Sequence, residues 1–226
     1  MLSITTAGFQ VYTAAYMPND TDTPSILSQL QSDNRYLQRE ADSLRCFLTS
    51  IQKLIDAAHT RPRESQTLEL LEQVLDNALR AINARDGSLL VPDDKSGELV
   101  FILVQGDEPH KELIGKRLPQ GEGIAGWVAK NRRSTIVNNV SVDDRFYPNM
   151  DEVIEYKTKS IAAAPLIGGG RLLGVVEALN KRDGQLFTNG NQKLLSLMCR
   201  YAGELLYSVV RDGSLPQTQQ KVETDS

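Results

Sequence analysis

"GEGIAGWV", Gly121 to Val128, meets the G-x-G-x-x-G pattern of a dinucleotide fingerprint and the longer G-x-G-x-x-G-x-V of a kinase phosphate loop. Its surroundings decide between a phosphate cradle and a plain turn. A dinucleotide fingerprint follows a buried parallel strand. Here the preceding residues, Gly115 to Gln120, read "GKRLPQ", charged and interrupted by Pro119. A kinase loop needs a lysine strand, an H-R-D loop and a D-F-G metal site downstream, and none follows. The Walker pattern fails as well, because Lys116 after Gly115 is followed by Arg117. What remains is a glycine-permitted turn into a helix, with Ile124, Trp127 and Val128 packing beneath it.

Outside this stretch, composition narrows the function classes. The chain has 226 residues and a net charge of -4, so it carries no basic footprint for nucleic acid or an anionic membrane. The N-terminus lacks a basic n-region, and no stretch approaches the ~18 apolar residues of a membrane span. A cytoplasmic protein without membrane insertion is expected. Two cysteines and two histidines supply neither a disulfide framework nor metal-ligand spacing.

Residues 1–24, rich in Thr, Asn, Asp and Pro, read as a flexible segment. Residues 25–60 then carry an unbroken heptad. Positions a are Leu27, Asn34, Ala41, Leu48 and Ile55; positions d are Leu30, Leu37, Leu44, Ile51 and Ala58. This predicts a coiled coil. Asn34 at an a position suits self-pairing across a parallel two-stranded seam, and Glu40 at g with Arg45 at the next e suits an interchain ion pair. A parallel homodimer is the expectation. A single helix packed on its own domain is the alternative.

Pro62 breaks that helix, and Leu68, Leu71, Leu75, Ala78, Leu79 and Ile82 restart the helical period. After "ARDG" the period changes to strand. "SLLVPD" and "ELVFILVQG" flank a "DKSG" turn, and "STIVNNV" is a short strand. A polar connection from Ser141 to Lys159 contains a helical piece near "MDEVIEYKT". "SIAAAPLI" and "RLLGVVEALN" flank "GGG", and the last helix runs from about Asn191 to Arg211. Residues 212–226 read as a disordered tail. The order defines an α+β fold, an antiparallel sheet with helices packed on it, over residues 61–211.

"LPQGEGIAGWVAKNRRSTIVNNVSVDDRFYP", "YKTKSIAAAPLI" and "GRLLGVVEALNKRDGQLF" together closely resemble a GAF domain, nearest to those of cyclic-nucleotide phosphodiesterases and bacterial adenylyl cyclases. The resemblance spans roughly Ser65 to Val210. It implies a six-stranded antiparallel sheet with a ligand pocket on one face, closed by the 141–159 connection. It implies pocket contacts from Ser88, Ile124, Ala125, Tyr147, Thr158 and Glu177. On that reading the N–H groups at the helix start favour an anionic group, Thr158 donates to it, Glu177 accepts from a base or amine, and Tyr147 stacks. Cyclic-nucleotide-binding members also carry an N-K…F…D-E signature with a lysine–aspartate salt bridge. This chain has Asn180, Lys181 and Phe187, but Asn191 and Gln192 stand at the acidic positions.

Other chemistries of the family need residues this chain places elsewhere. Sulfoxide reduction and bilin attachment need a pocket cysteine, whereas Cys46 falls in the coiled coil and Cys199 on the terminal helix. Haem usually needs a histidine, and neither His59 nor His110 falls on a pocket strand. The expected protein is a non-catalytic, dimeric sensor that binds a small ligand and signals through its helices to a separate partner. A ligand-free adaptor is the alternative, and a cyclic nucleotide is one candidate ligand.

Overall fold

The computed structural model describes residues 23–59, 64–107 and 109–211. The expected flexible N-terminus, apart from its last two residues, and the expected disordered tail lie outside these. The chain divides between Asp42 and Ser43 into two units.

Helix α1 spans Thr23–His59, 37 residues, about 55 Å at 1.5 Å per residue. The heptad leucines Leu27, Leu30, Leu37, Leu44 and Leu48 lie on it, each with more than half of its surface exposed. The side chains of Cys46, Ile51 and Ile55 lie outside the described residues.

Helix α2 (Glu64–Ala81) turns Leu70, Val74, Leu75, Ala78 and Leu79 into the core, matching its helical period. The chain turns at Ile82 and Asn83, where Asn83 adopts φ 54°. Strand β1 (Ala84–Pro92) therefore begins inside "ARDG" rather than after it. Asp86 pairs with Leu179, and Gly87 with Ala178. Gly87 is needed there for space. A Cβ at that position would stand 2.4 Å from the Glu177 carbonyl oxygen and 2.5 Å from Leu79 Cδ2.

Strand β2 (Leu99–Gly106) returns through the Asp93–Glu98 turn. Asp93 accepts from the backbone N–H groups of Lys95 and Ser96, and Gly97 takes φ +74°. A short 3-10 turn at Lys111–Leu113 leads to β3 (Arg117–Leu118). Helix α3 (Gly123–Asn131) and β4 (Thr135–Val137) follow. The connection holds α4 (Asn149–Ile154). Strands β5 (Ile161–Gly168) and β6 (Arg171–Lys181) form a hairpin, and α5 (Asn189–Arg211) closes the domain. Gly169 and Gly170, both at positive φ, make its two-residue turn.

The six strands form one sheet in the order β3-β2-β1-β6-β5-β4, and every pairing is antiparallel. The α+β expectation holds. Each face buries its own core. Leu89, Leu103, Ala164 and Val176 join α2 and α5 on one side. Leu90, Phe101, Ala163 and Val175 join α3 and the connection on the other. Helix α5 approaches β5 backbone to backbone, since a Cβ on Gly203 would stand 2.2 Å from the Ile167 carbonyl oxygen.

Candidate functional site

The opening glycine motif now has a conformational account. Gly121 and Gly123 take φ +82° and +68°, which L side chains rarely adopt. Gly126, one turn into α3, packs directly on Gly121, where a Cβ would come within 2.6 Å of its carbonyl carbon. The three glycines make a tight entry that presses the start of α3 onto the sheet.

That start meets strand residues brought level by register. Ser88 of β1 sits opposite Glu177 of β6, and Glu177 opposite Ala163 of β5. Period 2 puts Asp86, Ser88 and Leu90 towards one face, together with Val175, Glu177 and Leu179. A cavity of about 70 Å³ lies over them. Ser88, Ile161 and Glu177 line it from the sheet, and Gly123 and Ile124 from α3. Phe146, Tyr147, Met150, Asp151 and Ile154 line it from the connection.

Five of the six residues implied by the resemblance meet at this cavity: Ser88, Ile124, Tyr147, Thr158 and Glu177. Ala125 does not line it. Its side chain is fully buried in the core, and its backbone N–H donates to the Glu177 carboxylate. The Ser88 hydroxyl donates to Glu177 Oε2 at 3.2 Å. The N–H at the helix start, expected to favour an anionic ligand group, is thus engaged by a carboxylate of the chain itself.

Glu177 keeps part of its surface accessible, and it is a cavity wall. Desolvation there pushes its carboxyl up from 4.5 to about 7. The hydrogen bonds from Ser88 and Ala125 oppose the rise, and the nearby Asp151 charge adds to it.

Thr158 is held from the connection. Its backbone N–H donates to Asp151 Oδ2 and its hydroxyl to Asp151 Oδ1, each at 2.7 Å. Tyr156 donates its hydroxyl to Asp86 Oδ2 at 2.6 Å, and Asp86 is only 3% exposed. Burial and that carboxylate raise the phenol above its usual range. The His110 ring meets Tyr156 edge-on at 5.4 Å. Its Nε2 is buried and has no hydrogen-bond partner among the described residues.

Asp86, His110, Asp151 and Tyr156 all line the cavity, and sequence reasoning had not singled them out. Asp86 was legible once the strand was extended, because it lies two residues before Ser88. His110 lies in a loop and reaches the wall only through tertiary packing.

The N-K…F residues brace the site from outside it. The Asn180 side chain, on a residue at φ 48°, accepts from the N–H groups of Lys159 and Ser160 and donates to the Tyr156 hydroxyl. Phe187 is buried, and its backbone exchanges two hydrogen bonds with the Asn138 side chain. Lys181 Nζ donates to Asn191 Oδ1 at 3.5 Å, a long bond to a neutral amide in place of a salt bridge. Thr188 and Asn191 also form a reciprocal cap at the start of α5. Gln192 donates to the Ser134 carbonyl oxygen at 2.8 Å.

At the other end of the connection, Asp143 and Arg145 form a two-pronged ion pair at 2.8 and 2.7 Å. The Arg145 guanidinium lies 4.8 Å from the Trp127 ring centroid on α3. Cys199 is fully buried in the opposite core, and burial pushes its thiol up to about 12. It is an inert packing thiol. Among the described residues, no helix is long and apolar enough to cross a membrane.

A family model for the GAF domain matches residues 65–206, and the chain belongs to that family. A probable 3′,5′-cyclic phosphodiesterase of Caenorhabditis elegans is 27% identical over 177 residues, which cover 74% of this chain. The match spans 24% of that relative's length. Two solved structures share the fold. The GAF domain of a phosphoenolpyruvate-protein phosphotransferase from Coxiella burnetii superposes with a TM-score of 0.59 at 20% identity, covering 75% of this chain and 97% of that one. Free methionine-R-sulfoxide reductase from Neisseria meningitidis, in complex with its substrate, gives 0.61 at 16%, covering 77% and 93%. A GAF domain is a regulatory, small-ligand-binding fold.

Proposed function

We propose that this chain is a non-catalytic sensor. It binds a small ligand in the cavity beneath residues 141–159 and passes its state through helices to a separate partner. The observation that carries this reading is the partly covered cavity, mostly apolar but with Asp86, Ser88, Asp151, Thr158 and Glu177 in its wall, on the sheet face opposite α2 and α5. Two sets of bonds tie the connection to the sheet, Tyr156 to Asp86 and Lys159 and Ser160 to Asn180, and the Thr158–Asp151 pair closes it upon itself. A cover fastened by a few discrete hydrogen bonds can be released without unfolding the sheet beneath it, as a binding-linked switch requires. Native mass spectrometry of the purified protein, followed by denaturation to release any co-purified small molecule, tests it. An empty protein whose connection no small molecule protects from proteolysis points to the adaptor reading instead.

The sensor acts as a parallel homodimer through α1. Support comes from the unbroken heptad and from five seam leucines left more than half exposed in the single chain. Changing Leu37 and Leu44 to Glu yields a monomer in sedimentation. A doubly charged variant that remains dimeric overturns the seam.

A further inference from the structure

The charge balance of the cavity wall is one-sided. Asp86, Asp151 and Glu177 line it, and among the described residues no lysine or arginine does. The hydrogen bonds these carboxylates accept there come mainly from neutral donors: a tyrosine hydroxyl, a threonine, a serine and backbone N–H groups. Among the described residues, Arg85 comes near one of them, its Nε standing 3.6 Å from Asp86 Oδ2. The N–H of Ala125 at the start of α3 is engaged by Glu177. An incoming anion would meet carboxylates and would have to displace one of them.

The rest of the wall suits the opposite charge. Phe101, Phe146, Tyr147 and Tyr156 present aromatic surface, and Met150 adds a polarisable thioether. His110 places a buried, unpartnered ring nitrogen in the same wall. Among the described residues, no three His, Cys, Asp or Glu side chains are grouped to hold a metal ion. Aromatic walls around carboxylates match an organic cation better than a metal.

We infer that the cavity takes a small organic cation, an ammonium or guanidinium group, with Glu177 and Asp151 as its counter-charges. This rests on the sensor reading and names its ligand class. The cation replaces the Ser88 and Ala125 hydrogen bonds as the main partner of Glu177. The aromatic side chains then enclose its apolar part.

Calorimetric and thermal-shift titrations of the full chain at pH 8 test it, with choline, ethylamine and methylguanidine as cations and cyclic AMP and cyclic GMP as anions. At least one cation is expected to bind saturably, and Glu177→Gln to weaken it tenfold or more while circular dichroism stays unchanged. Hydrogen exchange on the unaltered protein gives a readout free of any folding defect in the variant: the cation slows exchange across residues 141–159. Binding of a cyclic nucleotide without any cation overturns the inference and leaves the sensor reading standing. Cation binding that is indifferent to Glu177→Gln and leaves exchange of residues 141–159 unchanged overturns it as well. No binding by any of the five compounds overturns the inference, while the sensor reading stands or falls on the native mass spectrometry.

Discussion

Thr158 and Asp151 share two hydrogen bonds, both 2.7 Å long, one from the threonine backbone and one from its hydroxyl. They join α4 to the last residues before β5, and so close the cover of the cavity upon itself. Thr158→Val keeps the shape and the backbone bond but deletes the hydroxyl. A hydrogen bond to a charged group contributes about 1.5–3 kcal/mol, so local opening rises roughly tenfold to a hundredfold. Hydrogen exchange should quicken over residues 149–158 and stay constant in α5. Uniform quickening throughout the domain sinks the latch assignment.

Glu177 sets a pH dependence of stability. Its folded-state carboxyl titrates near 7, above the ordinary value of 4.5. Between those values the unfolded chain loses the proton while the folded chain keeps it, so stability falls as pH rises through that window. The contribution is full below about 4.5 and lost above about 7, and its size is on the order of 3 kcal/mol. Denaturant titrations from pH 4 to 8 should show Glu177→Gln gaining on the parent protein as pH rises. Parallel curves for the two proteins exclude a raised carboxyl.

Asn191→Asp should stabilise the domain. The substituted carboxylate keeps the reciprocal cap with Thr188, gives Lys181 a charged partner, and places a negative charge in the first turn of α5. A gain of about 1 kcal/mol, or ~2–4 °C in Tm, is expected from thermal denaturation. An unchanged or lower Tm means that Lys181 does not reach the new carboxylate.

Gly203→Ala tests the contact of α5 with β5. The new methyl would lie 2.2 Å from the Ile167 carbonyl oxygen, with the Ile167 backbone carbon 2.5 Å away. Neither atom is the flexible end of a side chain, so α5 must shift. A loss of about 2–3 kcal/mol is expected in chemical denaturation. A neutral effect places α5 further from the sheet.

The fold was legible because its signals are local. Strand alternation, the "GGG" turn and the helical period of α2 each lie within one short segment, and their order specified the antiparallel sheet. The miss at "ARDG" has a physical cause. Asp-Gly ordinarily marks a turn, but here Gly87 makes room for Leu79 and the β6 backbone, a tertiary demand that local propensity does not register. The candidate site was half legible. Ser88 and Glu177 were implied by the family resemblance, yet their bonding to each other depends on the register between β1 and β6. Asp151 and Tyr156 had no visible role because their partners, Thr158 and Asp86, are set by how the connection folds back. His110 had no signal at all, since a lone loop histidine says nothing of the ring it will meet.

The sheet is one backbone thick, and that thinness has a mechanical consequence. Glu177 faces the cavity, while its chain neighbours Val176 and Ala178 lie in the core shared with α2 and α5. Ser88 faces the cavity, while next to it Leu79 of α2 fills the space where Gly87 would carry a side chain. A push on the cavity side of this diaphragm therefore reaches the helices after a single residue step. No long relay of side chains is required. The stiffness of two central strands, more than any network of contacts, would set how much of an event at Glu177 is felt by α2.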